Sequence, residues 1–243
     1  MIPSRRRRIV GNWKMWGSQA HLAELDAIDA AARAHRKVDV VLCLPFTMIE
    51  RASRSCSALA IGAQDCHAAA GGAHTGDVSA AMLRESGASW AIVGHSERRA
   101  EHFETDAIVR AKAEAAIDAR LGVFLCVGES ASQRQAGQAE HAVLTQLGNS
   151  FPRNAAADST FVAYEPLWAI GAAQTPSPEQ IASMHCAIRR RLGDWDVNVL
   201  YGGSVTAANA ETILAISEVD GVLVGGASLE AATFIPIVAA AAR

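Results

Sequence analysis

Ala163-Tyr164-Glu165-Pro166-Leu167-Trp168-Ala169-Ile170-Gly171 is the stretch from which the architecture is read. Ahead of Glu165, Thr160-Phe161-Val162-Ala163-Tyr164 is short, apolar and β-favouring, which marks a buried strand. Beyond Gly171, the segment to Pro176 reads as a loop, and Ser177-Pro178-Glu179 carries helix-start chemistry, with Ser177 as N-cap and Pro178 in the first helical position. A carboxylate therefore stands where a buried strand ends. A stiff proline follows it, then Leu167, Trp168 and Ile170, and water excluded by these residues raises the proton affinity of a carboxyl, as a general base needs. The alternative for Glu165 is a strand-end carboxylate paired with a Lys or Arg.

The same strand, loop, helix unit recurs along the chain. Strand-like runs fall at 8–13, 38–45, 59–64, 90–94, 123–128, 160–165, 197–201 and 222–225. Between them, helix-periodic runs start at Gln19 and cover 48–55, a brief helix through Met82, then 105–120, 133–147, 178–192, 207–216 and 229–242. Successive βα units predict a parallel sheet covered by helices, and units of roughly 30 residues suit a closed barrel better than an open sheet. No GxGxxG follows the first strand, and no linker or composition shift divides the chain, so 1–243 reads as one α/β domain, a single (β/α)8 barrel.

Composition narrows the function classes. Half of the 243 residues are hydrophobic, and a net charge of −3 gives no reason to expect nucleic acid as a partner. Arg5 to Arg8 form a local basic run, read as the solvated flank of the first strand rather than as a targeting or phosphate-binding element. Five cysteines, odd in number and without CxxC spacing, point to a reducing compartment and a cytoplasmic protein. Neither a signal-peptide core nor a membrane-length apolar run is seen. No His/Cys cluster has metal-ligand spacing, and His67 and His74, flanking a Gly-rich loop, are read as facing solvent.

In a (β/α)8 barrel, chemistry gathers where strands end and helices begin, because those loops converge on one face. Asn12-Trp13-Lys14 follows the first strand, His95-Ser96-Glu97-Arg98-Arg99 the fourth and Glu165 the sixth; Gly202-Gly203-Ser204 follows the seventh and Gly225-Gly226-Ala227-Ser228 the eighth. Without a Cβ, backbone N–H groups at Gly203, Ser204, Gly225 and Gly226 can approach an anion, helped by the positive ends of the following helices. The plainer reading is that these glycines only make tight turns. A helical turn starting at His95 favours a neutral imidazole able to donate to a carbonyl and shuttle protons, and Lys14 offers a fixed positive charge for a phosphate or an enediolate.

In order and spacing, Gly11-Asn12-Trp13-Lys14-Met15, Gly62-Ala63-Gln64-Asp65, Thr75-Gly76, Val93-Gly94-His95-Ser96-Glu97-Arg98-Arg99, Cys126-Val127-Gly128-Glu129, Tyr164 to Gly171, Tyr201-Gly202-Gly203-Ser204-Val205 and Leu223-Val224-Gly225-Gly226-Ala227-Ser228 resemble the triosephosphate isomerase family over nearly the whole chain. The resemblance implies interconversion of dihydroxyacetone phosphate and glyceraldehyde 3-phosphate through an enediolate, with no cofactor and no metal. It implies Glu165 as the base, neutral His95 as electrophile and proton shuttle, and Lys14 as the charge stabiliser. Asn12, Gly171, Ser204, Gly225 and Gly226 are implied on the substrate side, with Ser96, Glu97 and Cys126 in support. It further implies a lid over 166–176 and a homodimer formed through loop 66–77, which contains Thr75.

Two positions depart from the family pattern. Trp16 stands where the family carries an Asn, and is expected to fill the interface, displace Lys14 or reshape the pocket. Ala172-Ala173-Gln174 replaces the common Thr-Gly-Lys, removing a hinge-side glycine and predicting a slower lid. Trp16 leaves room for two other readings: an isomerase of a related tetrulose phosphate, or a weakened barrel that binds sugar phosphates.

Overall fold

The computed structural model describes residues 6–170 and 175–243. Gly171 and Ala172-Ala173-Gln174, and with them the expectations for the hinge and for one phosphate contact, lie outside the described residues.

The strands are β1 (Arg7–Asn12), β2 (Val38–Leu44), β3 (Ala60–Ala63), β4 (Trp90–Val93), β5 (Gly122–Val127), β6 (Thr160–Tyr164), β7 (Asn198–Tyr201) and β8 (Gly221–Val224). They close into a parallel barrel in sequence order, with β8 pairing back onto β1. The helices are α1 (Ala23–Ala34), α2 (Phe46–Ser55), α3 (Ala80–Glu85), α4 (Ser96–Glu101), α5 (Asp106–Asp118), α6 (Ala131–Gln135), α7 (Ala139–Ser150), α8 (Pro178–Leu192), α9 (Ala210–Leu214) and α10 (Ala231–Ala241).

The strands are apolar throughout because both of their faces are covered. Their period of two sorts the side chains. Val10, Phe124, Cys126, Phe161 and Ala163 fill the barrel interior. Ile9, Val123, Leu125, Val162 and Tyr164 point outward and pack with the helices. Register does the positioning: Val127 pairs with Tyr164, which sets Gly128 beside Glu165. At the other end of the barrel Trp90 stacks on Phe124 with 4.8 Å between ring centroids.

Helix limits follow local chemistry where it is strong. Ser177 accepts the Gln180 N–H while the Gln180 side chain accepts the Ser177 N–H, so α8 starts at Pro178 as expected. The run 133–147 is not one helix. Gly137 takes φ +70° and separates α6 from α7. The run 207–216 shortens to α9 because Asn209 Oδ1 accepts the Thr206 N–H at 2.8 Å and holds a turn ahead of the helix. Helix α4 has no apolar face and no buried residue, so periodicity does not reveal it.

One buried group outside the strand ends ties the fold to pH. His185 on α8 is fully buried, with Nδ1 3.0 Å from the Glu218 carbonyl oxygen and Nε2 unpartnered. Burial lowers its pKa to about 4. The unfolded chain therefore binds a proton in a window where the folded protein does not, so stability falls as pH drops from about 6.5 towards 4. Removing that titration with His185→Gln is expected to flatten the slope, by up to about 3 kcal/mol across the window. Urea melts at intervals between these pH values check this, and an unchanged slope in the variant rejects it.

Candidate active site

At the C-terminal ends of the strands, Asn12, Lys14, His95, Ile170, Ser204, Gly225 and Gly226 line one cavity of about 380 Å3, together with Gly202, Gly203 and Ala227. It brings together the ends of β1, β4, β7 and β8.

Lys14 adopts φ +52°, which a non-glycine residue holds only when its surroundings enforce it. Two side chains do so: Asn12 Oδ1 accepts the Lys14 N–H at 2.9 Å, and Gln64 Nε2 donates to the Lys14 carbonyl at 2.8 Å. The ammonium pairs with Glu97. Trp13, buried below, donates its indole N–H to the Ser228 carbonyl at 2.8 Å and ties β1 to the loop after β8.

His95 is the N-cap residue of α4, and its Nδ1 accepts the Glu97 N–H at 3.3 Å. An Nδ1 that accepts leaves the proton of the neutral ring on Nε2. Gly94, immediately before it, has φ +66°, and an added Cβ there would lie 2.6 Å from Val109, so the turn that aims the ring needs glycine.

Glu165 is 1% exposed. Its Oε2 accepts the Ser96 N–H at 3.0 Å, and Oε1 sits 3.2 Å from His95 Nε2 without making a hydrogen bond. The carboxylate does not line the cavity, so it must leave the Ser96 N–H to reach a molecule bound there. At Gly128 a Cβ would lie 1.8 Å from the Glu165 carbonyl oxygen, so only glycine lets β5 and β6 meet at this point. Cys126 is buried inside the barrel, and burial, with the Glu165 carboxylate nearby, holds its thiol far above the usual range.

The glycine pairs line the cavity but do not lead straight into helices. A turn separates Ser204 from α9, with Asn209 Nδ2 donating to the Ser204 carbonyl at 3.1 Å, and β8 is followed by a short 3-10 turn at Gly226–Ser228. An anion here meets loop N–H groups rather than long-helix termini. Trp16 is 64% exposed and does not line the cavity, and Lys14 pairs with Glu97.

Several residues of this region carry no role in the sequence reading. Glu129, fully buried, accepts the Tyr164 hydroxyl at 3.1 Å and the Trp168 indole N–H at 2.8 Å, while Arg134 lies over the Trp168 ring. This cluster ties the first half of segment 166–176 to the end of β5. Its signal was present in Cys126-Val127-Gly128-Glu129, where a carboxylate follows another strand end. Arg99 donates to the Gly94 carbonyl at 2.9 Å and pairs with Asp106 at 2.7 Å, bracing the loop that carries His95. His67 and His74 do not both simply face solvent. The turn His74 to Asp77, closed by Gly76 at φ +93°, folds the loop so that the rings lie 4.1 Å apart and His67, His74 and Asp77 bring their ligand atoms within 4.8 Å. His67 Nδ1 accepts the Ala69 N–H at 3.0 Å, and the trio does not line the cavity.

Fold and cavity together define an enzyme of the (β/α)8-barrel class, with its chemistry at the C-terminal ends of the strands. The sequence profile of the triosephosphate isomerase family matches residues 7–241. The triosephosphate isomerase of Ruegeria sp. strain TM1040 is 51% identical, the match covering 98% of each chain, and that of Afipia carboxidovorans is 51% identical over 96% of each. The crystal structure of triosephosphate isomerase from Bartonella henselae superposes with a TM-score of 0.91 at 39% identity, covering 98% of this chain and 100% of that one. The chain belongs to the triosephosphate isomerase family.

Proposed function

We propose that the chain interconverts dihydroxyacetone phosphate and glyceraldehyde 3-phosphate by proton transfer through an enediolate, acting as one barrel domain. The observation that carries this reading is the capped imidazole of His95, which offers Nε2–H beside the Glu165 carboxylate at the edge of a glycine-lined cavity. Glu165 turns from the Ser96 N–H towards the cavity and takes the proton from carbon. Nε2–H of His95 polarises the carbonyl and passes protons between the two substrate oxygens. Lys14, fixed by Asn12 and Gln64 and paired with Glu97, stabilises the negative charge that develops. Backbone N–H groups at Ser204, Gly225 and Gly226, and at Gly171, hold the phosphate. The segment 166–176 closes over the site and excludes water from the enediolate. Neither cofactor nor metal is needed for these steps.

A coupled assay run in parallel with triose and tetrulose phosphates tests the reading. Turnover is expected with the triose phosphates and to exceed that with the four-carbon compounds. The reverse ranking supports the tetrulose alternative, and absence of turnover supports a weakened binding barrel.

The assembly proposed is a homodimer through loop 66–77. Met15 and Trp16 are 96% and 64% exposed, and they follow Lys14, whose carbonyl is held by Gln64 at the root of that loop. Exposed apolar side chains of this size favour a covering partner. Light scattering at micromolar concentration is expected to give about twice the chain mass of 25.5 kDa; a purely monomeric mass rejects the dimer. A cytoplasmic setting is supported by five free cysteines, and no helix among the described residues is long and apolar enough to cross a membrane.

A further inference from the structure

The end of the barrel opposite the catalytic cavity carries a second concentration of chemistry. A cavity of about 640 Å3 opens there among Arg6, Arg8, Arg33, Arg36, Asp39 and Trp90. A second of similar volume adjoins it, sharing Arg6 and Arg36 and adding Arg7, Lys37 and Arg243. The chain as a whole has a net charge of −3, so this end runs against the balance of the molecule.

The local charges are not matched. Among the described residues Asp39 is the only carboxylate side chain lining the first cavity, and it serves two guanidinium groups, Arg8 at 2.8 Å and Arg6 at 3.3 Å. Arg33 is paired with Asp29 at 2.5 Å, and Arg243 with Glu211 at 3.1 Å. Arg36 and Lys37, both exposed in the turn between α1 and β2, have no ion-pair partner among the described residues. Beneath them the Arg8 guanidinium is clamped 4.3 Å from the Trp90 centroid and 4.2 Å from that of Phe161, with Nε and Nη1 buried and without hydrogen bonds. Burial pulls its pKa down, so this fixed charge is held at an electrostatic cost that an anion at the mouth would reduce.

The geometry also selects the kind of anion. Guanidinium forks suit phosphoryl oxygens, and several of them suit several phosphoryl groups. The Trp90 ring is occupied by Phe124, stacked at 4.8 Å, and by Arg8, which leaves no place for a nucleobase to stack. We propose that this mouth of the barrel, at Arg6, Arg33, Arg36 and Lys37, binds a short oligophosphate, recognised by its phosphoryl groups without base stacking and separately from the triose phosphate site. Oligophosphate free in solution and phosphate headgroups of an acidic membrane share this chemistry.

Sodium tripolyphosphate is the probe, titrated calorimetrically into the full chain at about 0.05 M ionic strength, where screening is weak. The expected result is one binding event per chain, weakened roughly tenfold or more both by the double substitution Arg36→Gln, Lys37→Gln and by about 0.3 M salt. Both residues are exposed, and the thermal midpoint and isomerase kcat/KM of the double variant are expected to be unchanged. Three outcomes overturn the proposal. These are no binding up to about 10 mM, unchanged affinity in the double variant, and inhibition of isomerisation in step with occupancy, which places the probe at the catalytic mouth. Vesicles of phosphatidylglycerol form the second arm. Sedimentation of the chain with them, lost in the double variant while tripolyphosphate fails to bind, replaces the soluble ligand by a membrane surface and also overturns the proposal.

Discussion

Glu165→Gln is expected to lower kcat by roughly 10²–10⁴-fold, the range for loss of a positioned general base, while KM stays within a few-fold. The amide preserves the shape of a side chain that is 1% exposed, and its oxygen can still accept the Ser96 N–H now bound at 3.0 Å. It cannot accept a proton from carbon. The groups proposed to hold the phosphate, Ser204, Gly225 and Gly226, line the cavity from other strand ends, so ground-state binding has no reason to change much. Steady-state kinetics in both directions, with circular dichroism to verify folding, decide the matter. A variant within tenfold of the parent kcat removes Glu165 from the role of base.

Lys112→Met should have the largest effect on stability. The ammonium lies 2.8 and 2.7 Å from the two Asp65 oxygens and 2.6 Å from Glu104 Oε1, and all three residues are buried. Arg98 contacts the same two carboxylates at 2.8 and 2.7 Å. Without Lys112, two buried carboxylates share one guanidinium, and breaking a buried ionic group in this way costs about 3–5 kcal/mol. For a chain of this size that corresponds to a fall of roughly 10 °C in the melting temperature.

The effect has a pH signature. Burial raises Asp65 above the usual carboxylate range in spite of Lys112. Burial also pushes Glu104 up, but its bonds to Lys112 and Arg98 outweigh this and leave it below its ordinary value. A carboxyl depressed by folding contributes stability that is present above its unfolded pKa and is lost as pH falls through the folded one. The gap between parent and variant should therefore be widest near neutral pH and narrow in acid. Calorimetry on both proteins at about pH 7.5 and at about pH 3.5, below the ordinary Glu104 value of 4.5, checks this, and a constant gap, or one below about 1 kcal/mol at the higher pH, contradicts it.

The barrel and the rim of its cavity were legible because the signals are local. A strand buried on both faces is apolar whatever it pairs with, and a capping box such as Ser177 to Gln180 closes within one helical turn. The strand-end positions of Lys14, His95 and Glu165 follow from the same alternation once the barrel is recognised. For α4 the sequence offered only a turn starting at His95, because its polar stretch Ser96-Glu97-Arg98-Arg99-Ala100-Glu101 carries no hydrophobic period, although its first N–H groups hold Glu165 and are capped by His95. The exposed Trp16 shows the same limit, since sequence identifies the unusual residue and not the direction in which it points.

By itself, then, the amino-acid order determined the strand and helix succession, the closed parallel barrel and which side chains arrive at its rim. Tertiary structure alone decided what holds those side chains in place: Gln64 gripping the Lys14 carbonyl from 50 residues away, Glu129 bridging Tyr164 and Trp168, and Asp65, Glu104 and Arg98 gathered around Lys112. The physical reason is range. Periodicity and capping are properties of neighbours along the chain, whereas a buried hydrogen bond or ion pair depends on distant segments meeting within about 3 Å, and that distance exists only after the barrel has closed.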